Sequence, residues 1–415
     1  MKIGKYSFGL GDRFNHQGEA QLKAIIMANE AGIPMIPVWN KSNREHQIIQ
    51  TTPKQTRKEA DEAVNSLVWE GDYYVDADHI NLLNVDHFIQ SSNFFTIDVT
   101  DQIGVSAKQA DIKKFVSSCK EMMGELRIPN IKEKFTITED FVISVAKKYL
   151  FAVKEAGRIY RYIIQRKESN DFIPEISMDE VDQSQQPIEI LFILKAVALE
   201  GIPIQTIAPK FTGRFNKGVD YMGNIRQFKK EFEQDLLILD YAIKEFKLPA
   251  NLKLSIHSGS DKFSIYPVIG SLIKKYDKGI HIKTAGTTWL EEVIGLASAD
   301  GAGLMIAKEI YKRAYERKND LCIPYAAVID IDHSKLPSPE EVRTWTAGKF
   351  ASTLRHIPDH PDYNPNFRQL IHVGYKVAAE MGSDFYAALV KYAAIIEENV
   401  IENLFERHIK RLFLT

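Results

Sequence analysis

Along the chain, short apolar runs alternate with longer stretches whose apolar residues recur every three or four positions. The runs at 6–10, 35–38, 73–75, 94–99, 172–176, 204–208, 253–256 and 280–283 are rich in β-branched or aromatic residues, or are bounded by Gly or Pro. These are the marks of strands. Between them, 56–69, 107–123, 140–165, 187–200, 224–246, 266–276 and 289–296 read as helices. The clearest is 224–246, where Phe228, Phe232, Leu236, Leu239 and Ile243 fall on one helical face. Strands separated by helices predict a parallel sheet, and closure into a TIM-like (β/α)8 barrel is its economical form. A doubly wound open sheet is the alternative. The turn Gly9-Leu10-Gly11-Asp12-Arg13-Phe14 lacks the third glycine of a dinucleotide-binding fingerprint.

The pattern also divides the chain. A catalytic α/β barrel is expected over 1–336, with a helical insertion at about 102–170, because that connection is much longer than a normal crossover. One more strand is expected at 326–331. Residues 337–415 read as a helical, aromatic-rich extension packed on the barrel.

Composition narrows the class. Of 415 residues, 45% are hydrophobic and 26% charged, enough apolar mass for a large core. With 53 basic and 55 acidic residues the formal charge is -2, so no global field favours nucleic acid or an anionic membrane. The two cysteines, Cys119 and Cys322, lie far apart and suit a reduced compartment. The most apolar region, 188–204, is broken by Glu189, Lys195, Glu200 and Pro203, too charged to span a bilayer. The expectation is a cytoplasmic enzyme acting on a small molecule. A homo-oligomer is compatible with this reading.

In barrels and open parallel sheets, sites form at the carboxyl ends of strands. Polar residues gather at those ends here: Asp76-Ala77-Asp78-His79 after the third predicted strand, Ser177-Met178-Asp179-Glu180 after the fifth, and His257-Ser258-Gly259-Ser260-Asp261-Lys262 after the seventh. His79 and His257 with carboxylate neighbours suit a divalent cation such as Zn, Mn, Co, Fe or Ni. Asp78 is placed to act as a base, although an Asp there also suits a cap. Glu175 and Glu180 are both candidates for the acid. Lys210, Arg214 and Lys217 flank glycines in one long loop that is suited to clamp a carboxylate. Asp220 closes that loop and is a candidate metal ligand, with a turn-forming role as the alternative. Ser258 and Lys262 are candidate substrate contacts.

These loops resemble a known family. Gly11-Asp12-Arg13-Phe14, Asp76-Ala77-Asp78-His79, the run from Gly213 to Asp220, the run from His257 to Phe263, and Lys283-Thr284-Ala285-Gly286-Thr287-Thr288-Trp289 resemble the tagaturonate/fructuronate epimerases of hexuronate catabolism. The resemblance implies a metal-dependent barrel enzyme that interconverts D-tagaturonate and D-fructuronate, which differ at C4. It implies Asp78 as base, Glu180 as acid, and His79, Asp220 and His257 as ligands of a divalent metal. Lys210, Arg214, Ser258 and Lys262 would hold the substrate. Retro-aldol chemistry is the expected route, because C4 is β to the C2 ketone and its proton is not acidic. The competing readings are another metal-dependent sugar isomerase or aldolase, and a non-catalytic sugar-acid binding protein.

Overall fold

Eight parallel strands close into a barrel in the computed structural model, which describes residues 1–284, 286–299 and 301–414. Ala285, in the loop after the last barrel strand, and Thr415, at the end of the C-terminal extension, lie outside the described residues. The strands are β1 (Tyr6–Leu10), β2 (Met35–Ser42), β3 (Tyr74–Ile80), β4 (Phe94–Asp98), β7 (Ile173–Ser177), β8 (Thr206–Ala208), β9 (Lys253–Ile256) and β10 (Ile280–Thr284). They pair in chain order, and β10 closes on β1 with Phe8 opposite Ile282. β5 (Gly124–Leu126) and β6 (Phe135–Ile137) form a separate antiparallel hairpin within the long connection between β4 and β7.

Each strand expected from the apolar runs of the barrel is present, but β2 and β3 run further than those runs do. Their extra residues, Asn40, Lys41, Asp76 and Asp78, are polar and buried. Asn40, Asp76 and Asp78 point into a polar layer of the barrel, whereas Lys41 faces outward and donates to the Arg13 carbonyl and Asn15; in neither place does an apolar pattern give a sign of a strand. Below that layer Ile3, Val38, Tyr74, Phe94 and Ile173 form a small apolar floor at the amino ends of the strands. Gly9 permits the close packing above it: a Cβ there would lie 2.9 Å from the Lys283 Cα and 3.1 Å from Asn40 Oδ1.

The strand expected at 326–331 does not form. Ile323–Tyr325 is a short 3-10 turn, and the chain then crosses the top of the barrel without a strand. Its backbone groups are satisfied from the side: the Lys217 amide donates to the Val328 carbonyl, and the Gln369 side chain accepts from the Asp330 amide and donates to its carbonyl.

From Gly301 onward the described chain is built of helices and turns, including Gly301–Glu316, Pro365–Val373 and Ala393–Ile401. Their apolar faces share one continuous core with the barrel. No helix of the described residues is long and apolar enough to cross a membrane.

Candidate active site

The polar ends of β3, β7 and β9 converge on one cavity of about 250 Å³ at the carboxyl end of the barrel. Asp78, His79, Asp179, Glu180, His257, Ser258 and Lys283 line it. His79 gets there by a break in the strand period. β3 pairs with β4 through Ala77 opposite Phe95 and resumes at Ile80 opposite Ile97. Asp78 and His79 therefore share the place opposite Thr96, a β-bulge, and His79 takes φ +54°. In a regular strand neighbours face opposite sides; the bulge re-aims His79 so that both residues reach the cavity.

His79, Asp179 and His257 each present a ligating atom within 4.8 Å of the other two. Both imidazoles are oriented by carboxylates behind them. His79 Nδ1 is 2.8 Å from Asp98, which leaves Nε2 for the cluster. His257 Nε2 is 2.8 Å from Glu175, and its Nδ1 is 3.0 Å from Asp179. A carboxylate on the far nitrogen fixes tautomer and ring orientation and raises ligand basicity.

Lys283 anchors the layer beneath. Its ammonium lies 2.7 Å from Asp76, 2.7 Å from Asp78 and 3.0 Å from Glu175, and it also donates to Thr96. Burial opposes the charge on Asp78, but Lys283 and the two imidazoles outweigh it and hold this carboxyl well below its ordinary range. Burial likewise disfavours imidazolium at His257, yet Asp179 and Glu175 raise it to about 9. His79 is raised in the same way by Asp78 and Asp98. The cluster is thus rich in negative charge and holds positive charge between its carboxylates.

The structure distributes the other sequence candidates differently. Glu180 stands exposed at the cavity mouth and Ser258 lines the wall with φ +49°. Asp220 is outside the three-residue group. It accepts from the Ser264 amide and hydroxyl and from the Tyr221 amide, the turn-forming role. Arg214 pairs with Asp330 on the surface at 3.0 Å. Lys210 lines a side cleft with Phe211 and Phe215. Lys262 is buried and donates to the carbonyls of Asn216, Val219 and Ser260, which occupies all three of its donors. Asp179, Asp98 and Lys283 received no role from sequence. The first two follow or end predicted strands, and only the fold shows which carboxylate of each loop faces inward.

A model of the tagaturonate epimerase family matches residues 1–412. The chain belongs to this family of carbohydrate epimerases. A tagaturonate/fructuronate epimerase of Thermotoga maritima is 27% identical over 426 residues, covering 98% of this chain and 80% of that protein. The fructuronate-tagaturonate epimerase of Cohnella laeviribosi, solved with one glycerol bound, shares the fold at a TM-score of 0.80 and 22% identity. That match covers 99% of this chain and 82% of the other. Its native structure gives the same TM-score at 21% identity. The family membership and the barrel agree with the resemblance read from the strand-end loops.

Proposed function

We propose that this epimerase interconverts D-tagaturonate and D-fructuronate at C4 and depends on a divalent metal held by His79, Asp179 and His257. The observation that carries the metal is the donor set itself: two imidazoles and a carboxylate, with Asp98 and Glu175 behind the rings. The same carboxylates that favour imidazolium would favour a cation in the centre. Bound there, the metal supplies Lewis-acid charge for the oxygen of the C2 ketone.

The chain's own residues manage the protons. Asp78 takes the proton of the C4 hydroxyl. The O–H electron pair becomes the C4 carbonyl, the C3–C4 bond breaks, and its electrons form the C2–C3 enediolate. The aldehyde fragment turns, and C3 attacks the other face of C4. Glu180, at the mouth, gives a proton to the new C4 alkoxide, and solvent at the mouth takes the proton from Asp78 and reprotonates Glu180 before the next turnover. Lys283 keeps Asp78 ionised beforehand and remains shared by Asp76 and Glu175 after Asp78 takes the proton. Ser258, in the cavity wall, would hydrogen-bond the bound sugar acid.

Purified protein incubated with tagaturonate and a divalent metal should yield fructuronate, followed by NMR. In D2O the C4 position should keep its protium, because no C4–H bond breaks. Deuterium at C4 overturns the retro-aldol route, and release of two fragments marks an aldolase instead. Full activity after exhaustive chelation removes the metal from the proposal.

A further inference from the structure

Most deeply placed lysines of this barrel have their ammonium groups satisfied by the protein. Lys41 donates to the Arg13 carbonyl and to Asn15. Lys253 donates to the carbonyls of Gly4 and Lys5, Lys262 to its three carbonyls, and Lys283 has its carboxylates. Lys217 is different. It stands in the wall of the active-site cavity, and among the described residues no group accepts a hydrogen bond or forms an ion pair with its ammonium. Burial is the main influence on it and lowers its pKa, with Glu180 pulling the other way.

Arg44 lines the same cavity at its exposed mouth, 4.9 Å from the Tyr325 ring. Its one hydrogen bond is long, 3.4 Å to the Pro324 carbonyl, and no carboxylate of the described residues pairs with it. Of the other cations lining the cavity, Lys283 has its carboxylates and Arg13 is already engaged by Glu45 at 3.2 Å and by the His372 carbonyl at 2.6 Å. One side of the cavity therefore carries two cations that no carboxylate of the described residues pairs with directly, Glu180 acting on both only at longer range, while the other carries Asp78 and the His79–Asp179–His257 cluster. Arg44 is exposed, but Lys217 is half-buried; a cation partly withdrawn from water without a direct partner costs free energy, and an anionic ligand offsets that cost.

We propose that Lys217, with Arg44 at the mouth, receives the substrate's carboxylate and so sets the preference for a keto acid over an uncharged ketose. This rests on the epimerase reading above and names its specificity group. With the C6 carboxylate on Lys217, the C2–C4 segment is left for Asp78 and the cluster. Lys262 has no donor left for this task, and Arg214 is turned to Asp330.

The test uses the manganese-supplemented enzyme and its K217M and K217R variants. Calorimetry measures binding of the aldonate made by reducing the C2 ketone of the substrate. The probe beside it is the matching alditol, in which CH2OH replaces the carboxylate. K217M should weaken aldonate binding on the order of 100-fold, with alditol binding changed less than about threefold. K217R should restore most of the aldonate affinity. In turnover, K217M should raise KM for tagaturonate while kcat stays near that of the native enzyme, and its melting temperature should not fall. Unchanged aldonate binding in K217M, equal losses for both ligands, or a fall in kcat at constant KM would each overturn the assignment. If the native enzyme fails to epimerise tagaturonate but K217M still loses the aldonate, the reaction is wrong and the carboxylate site stands.

Discussion

Asp78 has Lys283 at 2.7 Å on its inner side and lines the cavity on the other. Replacing it by Asn keeps the shape, removes the proposed base, and leaves Lys283 with Asp76 and Glu175. D78N should therefore lower kcat about 10²–10⁴-fold, the usual contribution of a positioned base. Metal affinity, measured by calorimetry, should change far less than kcat. His79→Ala should act on the proposed metal instead: added divalent cation should raise the melting temperature of the native protein and leave that of the variant unchanged. Residue type alone could not separate such roles. Lys210, Arg214, Lys217 and Lys262 all read as candidate anion contacts in a basic, glycine-bearing region. What decides among them is whether acceptors from elsewhere reach each head group. For Lys262 these include the Asn216 and Val219 carbonyls, more than forty positions away.

The loop after β9 shows the same dependence among elements. His257 points to the cluster, while Asp261 of the same loop is held from the C-terminal helices. Arg368 on the helix Pro365–Val373 donates to both Asp261 oxygens at 3.0 and 3.1 Å. His356 lies 3.2 Å from Asp261, and the Asp261 amide donates to His408 at 2.9 Å. The tail thus fixes the turn, with Asp261 at φ +63°, that presents His257 and Ser258. Arg368→Met leaves Asp261 buried without its main counter-charge. We expect a loss of about 3–5 kcal/mol in chemical denaturation, together with weaker metal binding through a loosened His257. The sequence showed the loop and the helical tail but not their connection, since hydrophobic period carries no information about which buried Asp meets which Arg. β3 was cut short for a related reason. Asp76 and Asp78 face a polar barrel interior, so the alternation that marks a half-buried strand is inverted there.

Across the whole molecule, although the β3–β4 connection holds only the 3-10 turn Val85–His87 and the helix Gly18–Glu30 was not among those expected from sequence, the barrel was legible because most of its parallel strands are separated by helices of clear period. The seam where it closes was not. There the turn after β1 brings Asp12 against Glu59 of the helix Pro53–Ser66, Glu292 of the helix Thr287–Ser298, and Lys41 of β2. Asp12 accepts four backbone amides, those of Phe14, Asn15, His16 and Gln17, and is held anionic. Glu59 pays for that arrangement: burial, then the Asp12 charge, push its pKa well above the ordinary value, with Lys41 opposing and Glu292 adding. Glu292 is raised in the same way by burial and by Asp12. A carboxyl whose pKa is raised on folding contributes stability that is full below its unfolded pKa, near 4.5, and is lost as pH rises to the folded value. Within that window the loss is about 1.4 kcal/mol per pH unit for each such group. Glu59→Gln removes the titration and keeps a neutral side chain of the same shape. Its denaturation free energy should match the native protein's below pH 4.5 and exceed it progressively as the pH climbs, levelling off once native Glu59 ionises. A difference that shrinks with rising pH would show that Glu59 is ionised in the native state and paired, most directly with Lys41, and that the seam is held by opposite charge instead of by a neutral Glu59.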